Sequence, residues 1–99
     1  MSKLLDDAQP MVLLDAATNA TSEVFACGQY ESVGLNVTIG NATVTVQTAL
    51  TESGPFKDEG SFDNTAHFSF APACNVFRLV AVGGPVTVTG QGYRKGRVN

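Results

Sequence analysis

Ninety-nine residues make one domain, near the common size and long enough for a single core. Only 15% of them are charged and the net charge is −3, a balance that opposes phosphate and argues against a nucleic-acid partner. There is no Trp, no apolar run long enough to span a membrane, and neither cysteine has the CxxC or Cys/His spacing of a zinc site.

Residues 1–10 are polar and read as an arm; Pro10 ends any helical turn begun at Ser2. The start MSKLLDDAQP has two Asp and too short an apolar core for a secretory signal, so synthesis in a reducing cytoplasm is expected. Met11 to Leu14 is a first short strand, residues 15–21 a small polar loop, and Ser22 to Cys27 a second strand stopped by Gly28. Gly28 to Gly34 is a connection holding Tyr30.

Leu35 to Leu50, LNVTIGNATVTVQTAL, reads as a hairpin about Gly40-Asn41, a favoured two-residue turn. Ile39 then faces Ala42, Val37 faces Val44 and Leu35 faces Val46, while Asn36, Thr38, Thr43, Thr45 and Gln47 form a polar, uncharged outer face. Thr51 to Asn64, rich in Gly, Pro, Ser and acid, is the longest predicted loop. In Thr65 to Ala71, Ala66, Phe68 and Phe70 point inward and His67 and Ser69 outward; Pro72 stops the strand.

Asn75 to Val82 and Pro85 to Thr89 read as a second hairpin about Gly83-Gly84, loosened by Pro85, which lacks an N–H. Val80 and Val82 fall on its outer side, which suggests an edge or a surface covered by another subunit. The tail from Gly90 is Gly-rich and basic, either a last short strand at Tyr93 or a free arm. The sum is an all-β fold, a single small antiparallel β-sandwich of jelly-roll or Ig-like topology. It has six to eight short strands over residues 11–93, with flexible arms at 1–10 and 94–99.

Charge is split along the chain. Residues 1–63 hold all nine carboxylates against Lys3 and Lys57, a balance of −7, whereas residues 64–99 hold Arg78, Arg94, Lys95 and Arg97, a balance of +4. This is either chance in a sparsely charged chain or a sign that unlike ends meet across a subunit contact.

Catalytic chemistry has little to stand on. His67 is the single histidine, outward on a strand with no nucleophile motif in reach, so no catalytic residue is assigned. Asp58, Glu59, Asp63 and Asn64 share a loop but lack EF-hand spacing, and read as a solvated acidic loop; no metal or cofactor is expected. The sequons at Asn19, Asn36 and Asn41 are incidental to a Thr-rich chain. Cys27 and Cys74 are expected as free, semi-buried thiols; a disulfide would require strand ends close in space.

Strand VTVQTAL, loop TESGPFKDEG, strand HFSFAP and the run NVFRLVAVGGPVTVTGQGYR together resemble small β-rich proteins of tailed-bacteriophage particles. Gln47, Phe56, Arg78 and Gly83-Gly84 fill the places that carry the resemblance, over about residues 40–94. It implies a non-enzymatic structural role: a capsid decoration or cement protein, or a neck or tail component, made in the host bacterial cytoplasm and located in the virion. It also implies a homo-oligomer, a trimer in preference, bound to major capsid or other virion subunits, with no membrane partner. The expected contact residues are Val80, Val82, Pro85, Tyr93, Arg94, Lys95 and Arg97. The alternative is a ligand-binding sandwich, carbohydrate-binding or adhesin-like, that uses the 51–64 loop.

Overall fold

Two strands of eighteen residues dominate the molecule, and the sequence suggests neither. The structure, a computed structural model, describes residues 3–71 and 74–94. Its strands are β1 (Lys3–Leu4), β2 (Met11–Ala17), β3 (Ala20–Thr21), β4 (Phe25–Ala26), β5 (Ser32–Ala49), β6 (Lys57–Phe62), β7 (Ala66–Phe70) and β8 (Val76–Tyr93). All eight belong to one sheet.

β5 and β8 pair antiparallel from Ser32↔Tyr93 to Ala49↔Val76 in a single register. Both predicted hairpins are therefore corrected: Gly40-Asn41 and Gly83-Gly84 interrupt continuous strands, and they lie opposite each other, with Asn41 across from Gly84 and Ala42 from Gly83. A straight ribbon of this length would run roughly 60 Å at about 3.3 Å per residue. The longest dimension of the molecule is 38 Å, so the ribbon folds over.

The fold falls at these breakers, and the inward parity switches there. Val33, Leu35 and Val37 are buried before it and Val44, Val46 and Thr48 after it; on β8, Phe77, Leu79 and Ala81 give way to Val86 and Val88. A hairpin turn and a folded strand both reverse the side-chain alternation, which is why the expected faces are right although the turns are not. Gly83 has φ +84°, and a Cβ there would lie 2.6 Å from the Asn41 carbonyl oxygen, so only glycine fits.

The flanking segments bend at the same place. Residues 11–26 run along β8 as β2, β3 and β4, and residues 57–70 run along β5 as β6 and β7. At the bend Asn19, with φ +46°, donates its N–H to the Gly83 carbonyl (2.9 Å) and accepts the Gly83 N–H on Oδ1 (2.7 Å). On the other side Thr65 Oγ1 accepts the Ile39 N–H at 3.2 Å. Side chains thus satisfy backbone groups where the ladder is broken.

The folded sheet makes two layers around one core. The first holds β2, residues 86–93, residues 32–39 and β7; the second holds β3, β4, residues 76–83, residues 42–49 and β6. Opposed pairs such as Val37↔Val88 and Val46↔Leu79 are fully or almost fully buried. Phe70 of the first layer meets Phe77 of the second edge-on at 5.7 Å, and Phe68 meets Phe62 at 4.7 Å. The all-β sandwich expectation stands, with long bent strands in place of short ones.

Two further expectations change. Residues 57–62 of the predicted acidic loop form β6 against Val44–Thr48, leaving residues 51–56 as the connection. The N-terminal residues from Lys3 are docked and not a loose arm: β1 pairs parallel with β4, and Leu5 is only 1% exposed. The Tyr30 hydroxyl donates to the Leu5 carbonyl, and the Gly92 N–H donates to that of Asp6 at 3.0 Å. Leu5 closes one end of the core, which the polar composition around it conceals.

Candidate interaction surfaces

Parity decides what each layer shows to solvent. On the second layer the outer residues of β8 are Arg78, Val80 and Val82, opposite Gln47, Thr45 and Thr43 of β5. The Val80 row continues to Thr21 on one side and, through Thr45, to Ser61 on the other, where the two hydroxyls lie 2.8 Å apart. Val82 is 64% exposed in surroundings of uncharged side chains. Leu50, just past the end of β5, is 67% exposed.

One end of this face is polar and pre-arranged. Arg78 Nε donates to Gln47 Oε1 at 2.8 Å, and Gln47 Nε2 donates to Asp58 Oδ1 at 2.9 Å, a cross-strand ladder over three strands. The Arg78 guanidinium carbon sits 3.9 Å from the centre of the Phe56 ring. Gln47, Phe56 and Arg78, scattered in sequence, are therefore one cluster. Only the outward parity of Gln47 and Arg78 hinted at it.

The outer face of the first layer points the other way. It carries Tyr93, 46% exposed, and His67, whose Nδ1 lies 2.6 Å from Asn36 Oδ1. His67 is thus outward as expected and bound to its cross-strand neighbour. Beside this face Arg94 Nε pairs with Asp7 Oδ2 at 2.5 Å, and Arg94 lies over the Tyr30 ring at 5.4 Å. An open groove of about 450 Å³ runs here between Leu4, Met11, Tyr30 and Arg94, floored by Leu5.

The predicted contact residues do not form one patch. Val80 and Val82 lie on the outer face of the second layer and Pro85 at the bend, whereas Tyr93 and Arg94 lie at the end of the first. Lys95 and Arg97 lie outside the described residues. The acidic and basic parts of the chain also meet within one molecule, through Asp7 and Arg94.

The two cysteines come together. Cys27, fully buried, follows β4, and Cys74, half-buried, precedes β8; their sulfurs are 3.7 Å apart. Burial pushes both thiol pKa values up; at Cys27 the neighbouring sulfur adds to this, and at Cys74 the hydrogen bond with Cys27 opposes it. No set of three or more metal-ligating side chains occurs among the described residues.

No protein-family model matches the chain, and no curated protein sequence does. Among solved structures, the crystal structure of the SPBc2 prophage-derived protein YomS is similar, with a TM-score of 0.67 over 83% of this chain and 88% of that one. Identity is 18%, so the likeness is one of fold.

Proposed function

We propose that this protein is a non-enzymatic structural component of a phage particle, of the capsid decoration or cement type, binding copies of itself and capsid subunits in the virion. The observation that carries the proposal is the outer face of the second layer. It is an antiparallel surface with Val82 64% exposed among Val80, Thr21, Thr43 and Thr45, and Arg78 fixed at its end. The part of this surface around Val80 and Val82 can be covered without burying a charge, and Arg beside an aromatic ring, as at its end, is a common anchor in protein interfaces. The fold it shares with a prophage-derived protein supports the phage setting.

The alternative, a ligand-binding sandwich that uses the 51–64 loop, has less to favour it: residues 57–62 form β6, and Arg78 lies over one face of the Phe56 ring.

Self-association through this face is tested by sedimentation velocity of the full chain beside Val82→Asp. The parent is expected to sediment as an oligomer, a trimer in preference, and the variant to shift to monomer with unchanged circular dichroism. A parent that stays monomeric at high concentration, or an oligomer indifferent to Val82→Asp, would rule this face out as the contact.

A further inference from the structure

The chain has two cysteines, 47 residues apart in sequence, and the fold brings their sulfurs to 3.7 Å. We propose that Cys27 and Cys74 form a dithiol that closes to a disulfide when the protein passes from a reducing to an oxidising medium.

The backbone is already set for this bond. The Cys27 and Gly28 N–H groups both donate to the Asn75 carbonyl, at 2.9 and 3.2 Å, extending the β4–β8 ladder beyond Ala26↔Val76. Asn75 is held in turn: its N–H donates to the Ala49 carbonyl at 3.1 Å and its Nδ2 to that of Leu50 at 3.0 Å. Cys27 and Cys74 are therefore near-opposite positions on adjacent, anchored strand ends. A disulfide of about 2.0 Å requires the sulfurs to approach by roughly 1.7 Å, a movement that side-chain rotation supplies.

Access differs between the two thiols, and this orders the steps. Cys74 lines an open cavity of about 190 Å³ with Leu50, Pro55 and Lys57, whereas Cys27 is fully buried. With a small-molecule disulfide as oxidant, the Cys74 thiolate attacks one of its sulfurs and releases one thiolate. Cys27 then gives up its proton to solvent and attacks Cys74 Sγ, releasing the second. Two protein thiols are oxidised and one small disulfide is reduced to two thiols. Because burial holds both thiols protonated, closure is slow at neutral pH and quickens as pH rises.

The bond would weld the end of β4 to the start of β8 and close a loop that contains β5, β6 and β7. The chain would then fold unconstrained in the reducing cytoplasm and be locked outside it. The inference rests on the sulfur geometry and is independent of the proposed virion role.

The test is to incubate the full chain with oxidised glutathione at mildly alkaline pH, quench, and alkylate after unfolding. Intact mass is expected to show a monomer two hydrogens lighter and unalkylated, with Tm raised by at least about 10 °C relative to the reduced protein. In a glutathione redox buffer the equilibrium ratio of closed to reduced protein should be higher for the folded chain than for the urea-unfolded chain, a comparison that needs no variant. Cys27→Ser should stop at a glutathione adduct on Cys74, and Cys74→Ser should leave Cys27 unmodified. A stable adduct on the parent, cross-linked dimers, or a closed form no more favoured at equilibrium when folded than when unfolded would overturn the proposal.

Discussion

Single residues with unequal environments separate the contributions most cleanly. Leu4 and Leu5 are neighbours in one short segment, yet Leu4 is 53% exposed and Leu5 is 1% exposed. Leu5→Ala is expected to cost about 2–4 kcal/mol, the range for truncating a buried leucine. Leu4→Ala should stay within about 0.5 kcal/mol. Urea unfolding of both variants decides whether the N-terminal segment is part of the core; equal, small effects would show it is not. Gly83 is the second such residue. Its φ of +84° and the Asn41 carbonyl oxygen 2.6 Å from a would-be Cβ make Gly83→Ala costly, by about 2 kcal/mol or more. The same melts measure it, and a loss below the usual scatter of surface substitutions would contradict the bend.

At the scale of elements, the β5–β8 ribbon defines the molecule, and it leads to a direct prediction by NMR. Backbone cross-strand contacts should link Val37 to Val88 and Val46 to Leu79, with no backbone ladder between Val37 and Val44; the reverse backbone pattern would restore the two local hairpins. Much of this fold is legible in the sequence. The alternation from Leu35 to Thr48 and in Thr65–Ala71 correctly assigns inner and outer faces, because side-chain parity is a local property, whereas Leu50, of the same parity as Thr48, lies past the strand end and is exposed. Which strand pairs with which is not local. Gly40-Asn41 and Gly83-Gly84 have the chemistry of turns, and only the long-range register reveals that they are opposed breakers in one folded ribbon. The acidic residues of β6 read as a loop for a similar reason. Lys57, Asp58 and Glu59 are exposed on an edge strand, where charge protects against unwanted pairing and disguises strand propensity. The Arg78–Gln47–Asp58 ladder and the Cys27–Cys74 contact required the fold before they could be seen.

For the whole molecule, the two outer faces point in opposite directions and differ in character. The second layer presents Val80 and Val82 among hydroxyls, a surface that carries no formal charge around these two valines. The first layer presents His67, Asn36 and Tyr93 beside the Asp7–Arg94 ion pair. Under the proposed cement role, which needs one surface for copies of the protein and one for the shell, these two faces are the candidates. The charge division along the chain is partly neutralised within the fold by Asp7 and Arg94. Association through the apolar face should accordingly depend weakly on salt, since screening acts mainly on exposed charge.

For the proposed cement role, the most direct measurement is co-sedimentation of the purified protein with empty capsids assembled from a major capsid protein encoded in the same genome. The parent is expected to pellet with the shells at a saturating, symmetry-related stoichiometry and to raise their resistance to heat or dilution. Parent protein left in the supernatant at every concentration, with shells no more stable in its presence, would contradict a cement role.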